Sequence, residues 1–102
     1  MNDVALFFSG AFLCNAFPHL AAGLRGEPFP SPFSRPSGKG PSSPLVNFLW
    51  GALNAIIGSS LMIAHPFSPG LNAGSAAIVL GVLFIGVYTS IHFGHVRRDG
   101  LF

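Results

Sequence analysis

No charged side chain occurs between residues 4 and 24, and none between residues 40 and 96. Soluble domains of this size carry roughly a quarter of their residues as Asp, Glu, Lys or Arg, spread over the outer face of every element. Here only 8% of the chain is charged. Helices built from the uncharged stretches have no polar face to turn toward water, so their surroundings must be apolar. A bilayer core about 30 Å thick is crossed by roughly 20 apolar helical residues. Three stretches meet that length: 4–24 (VALFFSGAFLCNAFPHLAAGL), 45–65 (LVNFLWGALNAIIGSSLMIAH) and 74–96 (GSAAIVLGVLFIGVYTSIHFGHV). The expected fold is an all-α membrane protein with three transmembrane helices, forming a single integral membrane domain over residues 1–102.

The first span opens on Met-Asn-Asp, without the basic leader of a secretory signal, and is read as a retained helix. Three crossings put the N-terminus and the second connection on one side, and the first connection and the C-terminus on the other. All five cations, Arg25, Arg35, Lys39, Arg97 and Arg98, then share that second side, while Asp3 is alone on the first. Lys and Arg mark cytoplasmic connections, so the expected orientation is N-out, C-in in a cell (inner) membrane. The net charge of +2 is absorbed by this asymmetry and calls for no nucleic acid. Cys14 is the one cysteine, which excludes an intrachain disulfide, and its expected place is as a small buried thiol.

Residues 25–44 (RGEPFPSPFSRPSGKGPSSP) hold six of the nine prolines, with three glycines and five serines. Proline lacks the backbone donor and has a fixed φ, so this connection forms neither helix nor central strand. Phe29 and Phe33 interrupt its polarity. They are expected as anchors at the headgroup level together with Trp50, or as part of a PFPSPF lid folded over the helix ends. Ser43-Pro44 is a helix start, and His65-Pro66 is a stop.

The polar residues inside the spans fall on stripes. Asn15 and His19 are four apart on one face of the first helix, beside Pro18, which should bend it. Asn47, Gly51, Asn54 and Gly58 make a second stripe, and Gly74, Ala77, Gly81, Tyr88, His92 and His95 a third. Glycines permit close helix approach, so Gly51, Gly58, Gly74 and Gly81 are the expected packing positions; amides add interhelical hydrogen bonds of about 0.6 kcal/mol each. His19 precedes Arg25 by six residues and His92 precedes Arg97 by five. The two rings are therefore at one depth, and the expected polar cluster comprises Asn15, His19, Asn47, Asn54, Tyr88 and His92 toward the cytoplasmic side.

His92 and His95, at i and i+3, can share a zinc or copper ion with His19, and two facing imidazoles can ligate haem iron. These three histidines are the candidate cofactor ligands, although interhelical hydrogen bonding explains them without a cofactor and none is expected outright. No carboxylate lies inside a span, no serine sits in a GxSxG turn and no glycine loop resembles a phosphate cradle, which argues against an enzyme.

The stretches NAFPHLAAGLRGEPFPSPF and SSPLVNFLWGALN, within residues 10–58, resemble a pattern of small bacterial polytopic membrane proteins: Asn-x-x-Pro-His, a Pro-Phe loop, Ser-Ser, then Asn-x-x-Trp-Gly. The resemblance implies a bacterial multi-pass membrane protein and brings no substrate, cofactor or catalytic residue with it. The expected role is an accessory or structural subunit, in contact with lipid and with a membrane-protein partner or further copies of itself. A haem- or metal-binding redox protein and an oligomeric pore or transporter are the alternatives.

Overall fold

The computed structural model describes residues 2–100. It contains α1 (Asp3–Leu24), a loop with the two-residue strands β1 (Phe29–Pro30) and β2 (Pro41–Ser42), α2 (Pro44–Ala64) and α3 (Ala73–Arg98). At 1.5 Å per residue the helices are about 33, 32 and 39 Å long, and all three are long and apolar enough to cross a membrane.

Local chemistry sets the ends. The side chains of Asn2, Ser43 and Asn72 accept from the backbone N–H groups of Ala5, Val46 and Ser75, each satisfying a donor that its helix cannot. Pro44 occupies the first turn of α2, where no donor is needed. After Leu24 the chain turns through Gly26 at φ +69°, with Glu27 N–H donating to Ala22 O and Gly26 N–H to Gly23 O. That pair closes α1 in a Schellman motif, and the left-handed φ is the reason for glycine. Helix α1 runs unbroken through Pro18.

α1 is the central element, packed along both α2 and α3, which scarcely meet each other. The antiparallel α1–α2 contact follows a repeat of small residues: Ser9, Ala16 and Gly23 on α1 lie opposite Gly58, Gly51 and Pro44 on α2. Ser9 Oγ donates to Gly58 O at 2.7 Å. A Cβ on Gly51 would sit 3.1 Å from Ala16 O, and one on Gly23 would sit 2.8 Å from Pro44 O. Side chains at these positions would push the backbones apart, which is why the contact is made of Gly, Ser and Ala. The buried residues of α2 are Asn47, Gly51, Asn54 and Gly58.

The α1–α3 contact is reciprocal. A Cβ on Gly81 would collide with the α1 backbone at Phe7, and one on Gly10 with the α3 backbone at Ile78. Gly74, Ala77 and Gly81 are buried on α3, and then the stripe opens: Tyr88 is 58% exposed, and burial resumes only at Val96. Past Gly81, the side of α3 that continues this stripe faces a cleft.

Candidate binding cleft

The cleft runs over α1 between α2 and α3 and has a volume of about 380 Å³. Phe7, Phe8, Phe12, Asn15 and His19 of α1 form its floor, and Trp50 and Asn54 of α2 form one wall. Phe84, Tyr88, Thr89, His92 and Phe93 of α3 form the other, while Pro30, Ser31 and Gly38 close the loop end. The lining contains no charged residue.

Two hydrogen-bond chains hold its polar end. The Asn47 amide nitrogen is surrounded by the carbonyl oxygens of Phe29 (2.8 Å), Ser43 (3.1 Å) and Ser42 (3.2 Å). Carbonyls only accept, so this atom is the NH2 group, and Oδ1 is left facing His19 Nδ1 at 2.8 Å. His19 therefore donates from Nδ1–H, and in the neutral ring, the form that apolar surroundings without a carboxylate favour, Nε2 carries the lone pair. One turn away, Asn54 Nδ2 donates to Trp50 O at 2.8 Å, and Asn54 Oδ1 accepts from Asn15 Nδ2 at 3.1 Å.

His19 is 2% exposed and cased edge-on by Phe29, Trp50 and Phe93, with ring centroids 5.6, 6.4 and 6.4 Å away. Its Nε2 has no hydrogen-bond partner among the described residues, where no fully enclosed side-chain nitrogen or oxygen lacks one. Nε2 is thus not fully sealed, and the cleft is the space that His19 lines.

The loop is built as a cap on this end. Ser31 and Ser42 join hydroxyls at 2.6 Å beside the β1–β2 pair, Gly38 N–H donates to Ser31 O at 2.8 Å, and His92 Nε2–H donates to Gly38 O at 2.6 Å. Gly38 has φ +71°, which a side chain would strain. Phe29, one of three rings expected at the headgroup level, packs inward against Phe93 at 4.7 Å. Phe33 is 65% exposed and meets the half-buried Trp50 edge-on at 5.4 Å.

Of the expected cluster, Asn15, His19, Asn54, Tyr88 and His92 line one cleft, and Asn47 stands behind His19. His92 stacks parallel to Tyr88 and contacts Phe93, which also borders His19. His95 is not brought to them: it is exposed and bonded to Arg98. The expected i, i+3 pairing of His92 with His95 is thus split between the cleft and the surface. Among the described residues no three His, Cys, Asp or Glu side chains converge as a metal set.

At the same end, Arg25 pairs with Glu27 at 3.1 Å and holds its carboxyl below the usual carboxylate range, with Arg97 adding to the effect. The end of α3 and the start of the loop thus share a cationic rim.

The aromatic floor is absent from the sequence-derived cluster. Its signal is present, because Phe8, Phe12, Asn15 and His19 are spaced four, three and four and lie on one stripe. Counting polar residues alone reads only the lower half of that stripe. No protein-family model matches the chain, and searches of curated proteins and of solved structures return no significant match.

Proposed function

We propose that the protein is a small, non-catalytic accessory protein of the bacterial inner membrane, with the loop and C-terminus in the cytoplasm, whose working part is the cleft, which seats a membrane amphiphile. The observation that carries this reading is the cleft itself: a concave, largely aromatic space within the size range of small-molecule sites, with a few polar groups gathered at one end. The cleft is bounded by α2 and α3 where those helices part, so a ligand can reach it from the bilayer. The cationic rim of Arg25, Arg35, Lys39, Arg97 and Arg98 supports the orientation.

Purification in mild detergent followed by extraction and mass spectrometry tests the reading. A defined amphiphile should accompany the protein near one-to-one and be lost from Ile85→Trp, which fills the cleft from the α3 wall while leaving the α1–α2 contact intact. Equal retention by the filled variant would refute the cleft as its seat.

A further inference from the structure

The cleft carries a chemical sign at its closed end. His19 Nε2 is a lone pair in a nearly buried ring, and the ring cannot exchange roles between its nitrogens without breaking the Nδ1–H bond to Asn47. Asn47 cannot turn over either, because its nitrogen is held by three carbonyls. A backbone cage therefore fixes Asn47, Asn47 fixes the tautomer of His19, and His19 presents an acceptor. An acceptor in apolar surroundings favours an occupant that donates to it and disfavours one that offers only lone pairs.

Two further constraints narrow the occupant. No charged side chain lines the cleft, so a phosphate or carboxylate head would find no ionic partner there. Around His19 stand Trp50 and Phe93, and the floor continues along Phe12 and Phe8 away from the loop. We infer that the cleft selects a neutral amphiphile with a hydroxyl-bearing ring as its head, the hydroxyl donating to His19 Nε2 and the tail lying along Phe12 and Phe8. A hydroxyl also accepts, so the same head can use the Tyr88 or Trp50 donors on the walls. The inference rests on the cleft being a ligand site, as proposed above, and adds the class of head that it takes.

The test compares 4-decylphenol with 4-decylanisole, which share ring and tail and differ in the donor, by calorimetric titration of the full chain in detergent micelles. The phenol should bind at least about tenfold tighter, the size of one good hydrogen bond. In His19→Phe, with its fold checked by thermal unfolding, the ratio should fall to near one. A second reading uses the unaltered protein. With ¹⁵N-labelled imidazole, the unprotonated Nε2 resonance of His19 should shift on adding the phenol and stay in place with the anisole. Equal affinity of the two ligands, with an unmoved Nε2 signal, overturns the donor preference and leaves the cleft as a ligand site. Binding of neither, together with full retention of any co-purified amphiphile by Ile85→Trp, overturns the cleft reading itself. Tighter binding of decyl phosphate than of the phenol overturns the neutral head.

Discussion

Replacing Gly51 by alanine tests whether the α1–α2 contact depends on backbone approach. The new Cβ would stand 2.8 Å from the Leu20 backbone nitrogen and 2.8 Å from Leu20 Cγ, where ordinary contact begins near 3.4 Å. The leucine side chain can rotate away, but the backbone nitrogen cannot, so α2 must retreat by about 0.6 Å there. Gly51 lies between Asn47 and Asn54, and both of those residues bond to α1. The same retreat takes the Asn15–Asn54 bond from 3.1 Å to about 3.7 Å, beyond hydrogen-bond range, and the His19–Asn47 bond from 2.8 Å to about 3.4 Å. Overpacking costs about 1–3 kcal/mol, and one lost interhelical bond adds about 0.6 kcal/mol. Alanine's better helix propensity returns about 1 kcal/mol. The expected net loss is about 2 kcal/mol, read from reversible unfolding in detergent against Gly94→Ala. A Cβ on Gly94 meets nothing within 4 Å, so that variant should be neutral or slightly stabilised. If the two variants unfold together, the contact has slack and the argument from close approach is wrong.

Three other outcomes follow from the same geometry. Asn47→Leu removes the side chain that ties the loop to His19 and should cost about 3 kcal/mol, with trypsin cutting faster after Lys39, since Arg35 is shielded by Pro36; an unchanged cleavage rate would show that the loop is held by other means. Ser9→Ala loses the buried bond to Gly58 O and should cost about 1 kcal/mol in the same unfolding assay, with no change expected from Ser59→Ala on the exposed side of α2. Reporter fusions at Ser37 and after Phe102 should both report cytoplasm, with one at Ser68 reporting the outside; a signal from Ser37 on the outer side would reverse the orientation.

The sequence disclosed the helices well because charge silence is a property of the whole span. Expected limits of 4–24, 45–65 and 74–96 lie within two residues of the observed ends. On α2 the stripe of Asn47, Gly51, Asn54 and Gly58 was legible because that helix meets one neighbour on one side. On α3 periodicity carried past Gly81 into Tyr88, His92 and His95, although that stripe turns from α1 into the cleft and then to the surface; side-chain spacing shows which residues share a face and not what that face meets. The α1 side of the main contact was written as Ser9, Ala16 and Gly23, seven apart, a pattern that a search for glycines alone passes over. The loop was the hardest part, since its partners at Asn47 and His92 are backbone carbonyls, which leave no mark in a pattern of side chains. Prolines said what the loop could not be, and left its two readings open.

The central position of α1 also bears on how the protein is made. Among the described residues, the side-chain hydrogen bonds that cross between helices, Ser9 to Gly58, Asn15 to Asn54 and His19 to Asn47, all join α1 to α2. This pair is complete before α3 has been synthesised, so an inserted hairpin can gather its polar groups while the third span is still on the ribosome. α3 then docks by the reciprocal glycine contact near one end and by His92 and Phe93 against the loop at the other. Pulled from its C-terminus, the protein should release α3 in a first step and the hairpin in a second, because the two contacts of α1 are separate. The helix that detaches first is also a wall of the cleft, so the first step of unfolding dismantles the cleft while the hairpin that carries its floor and its other wall stays whole.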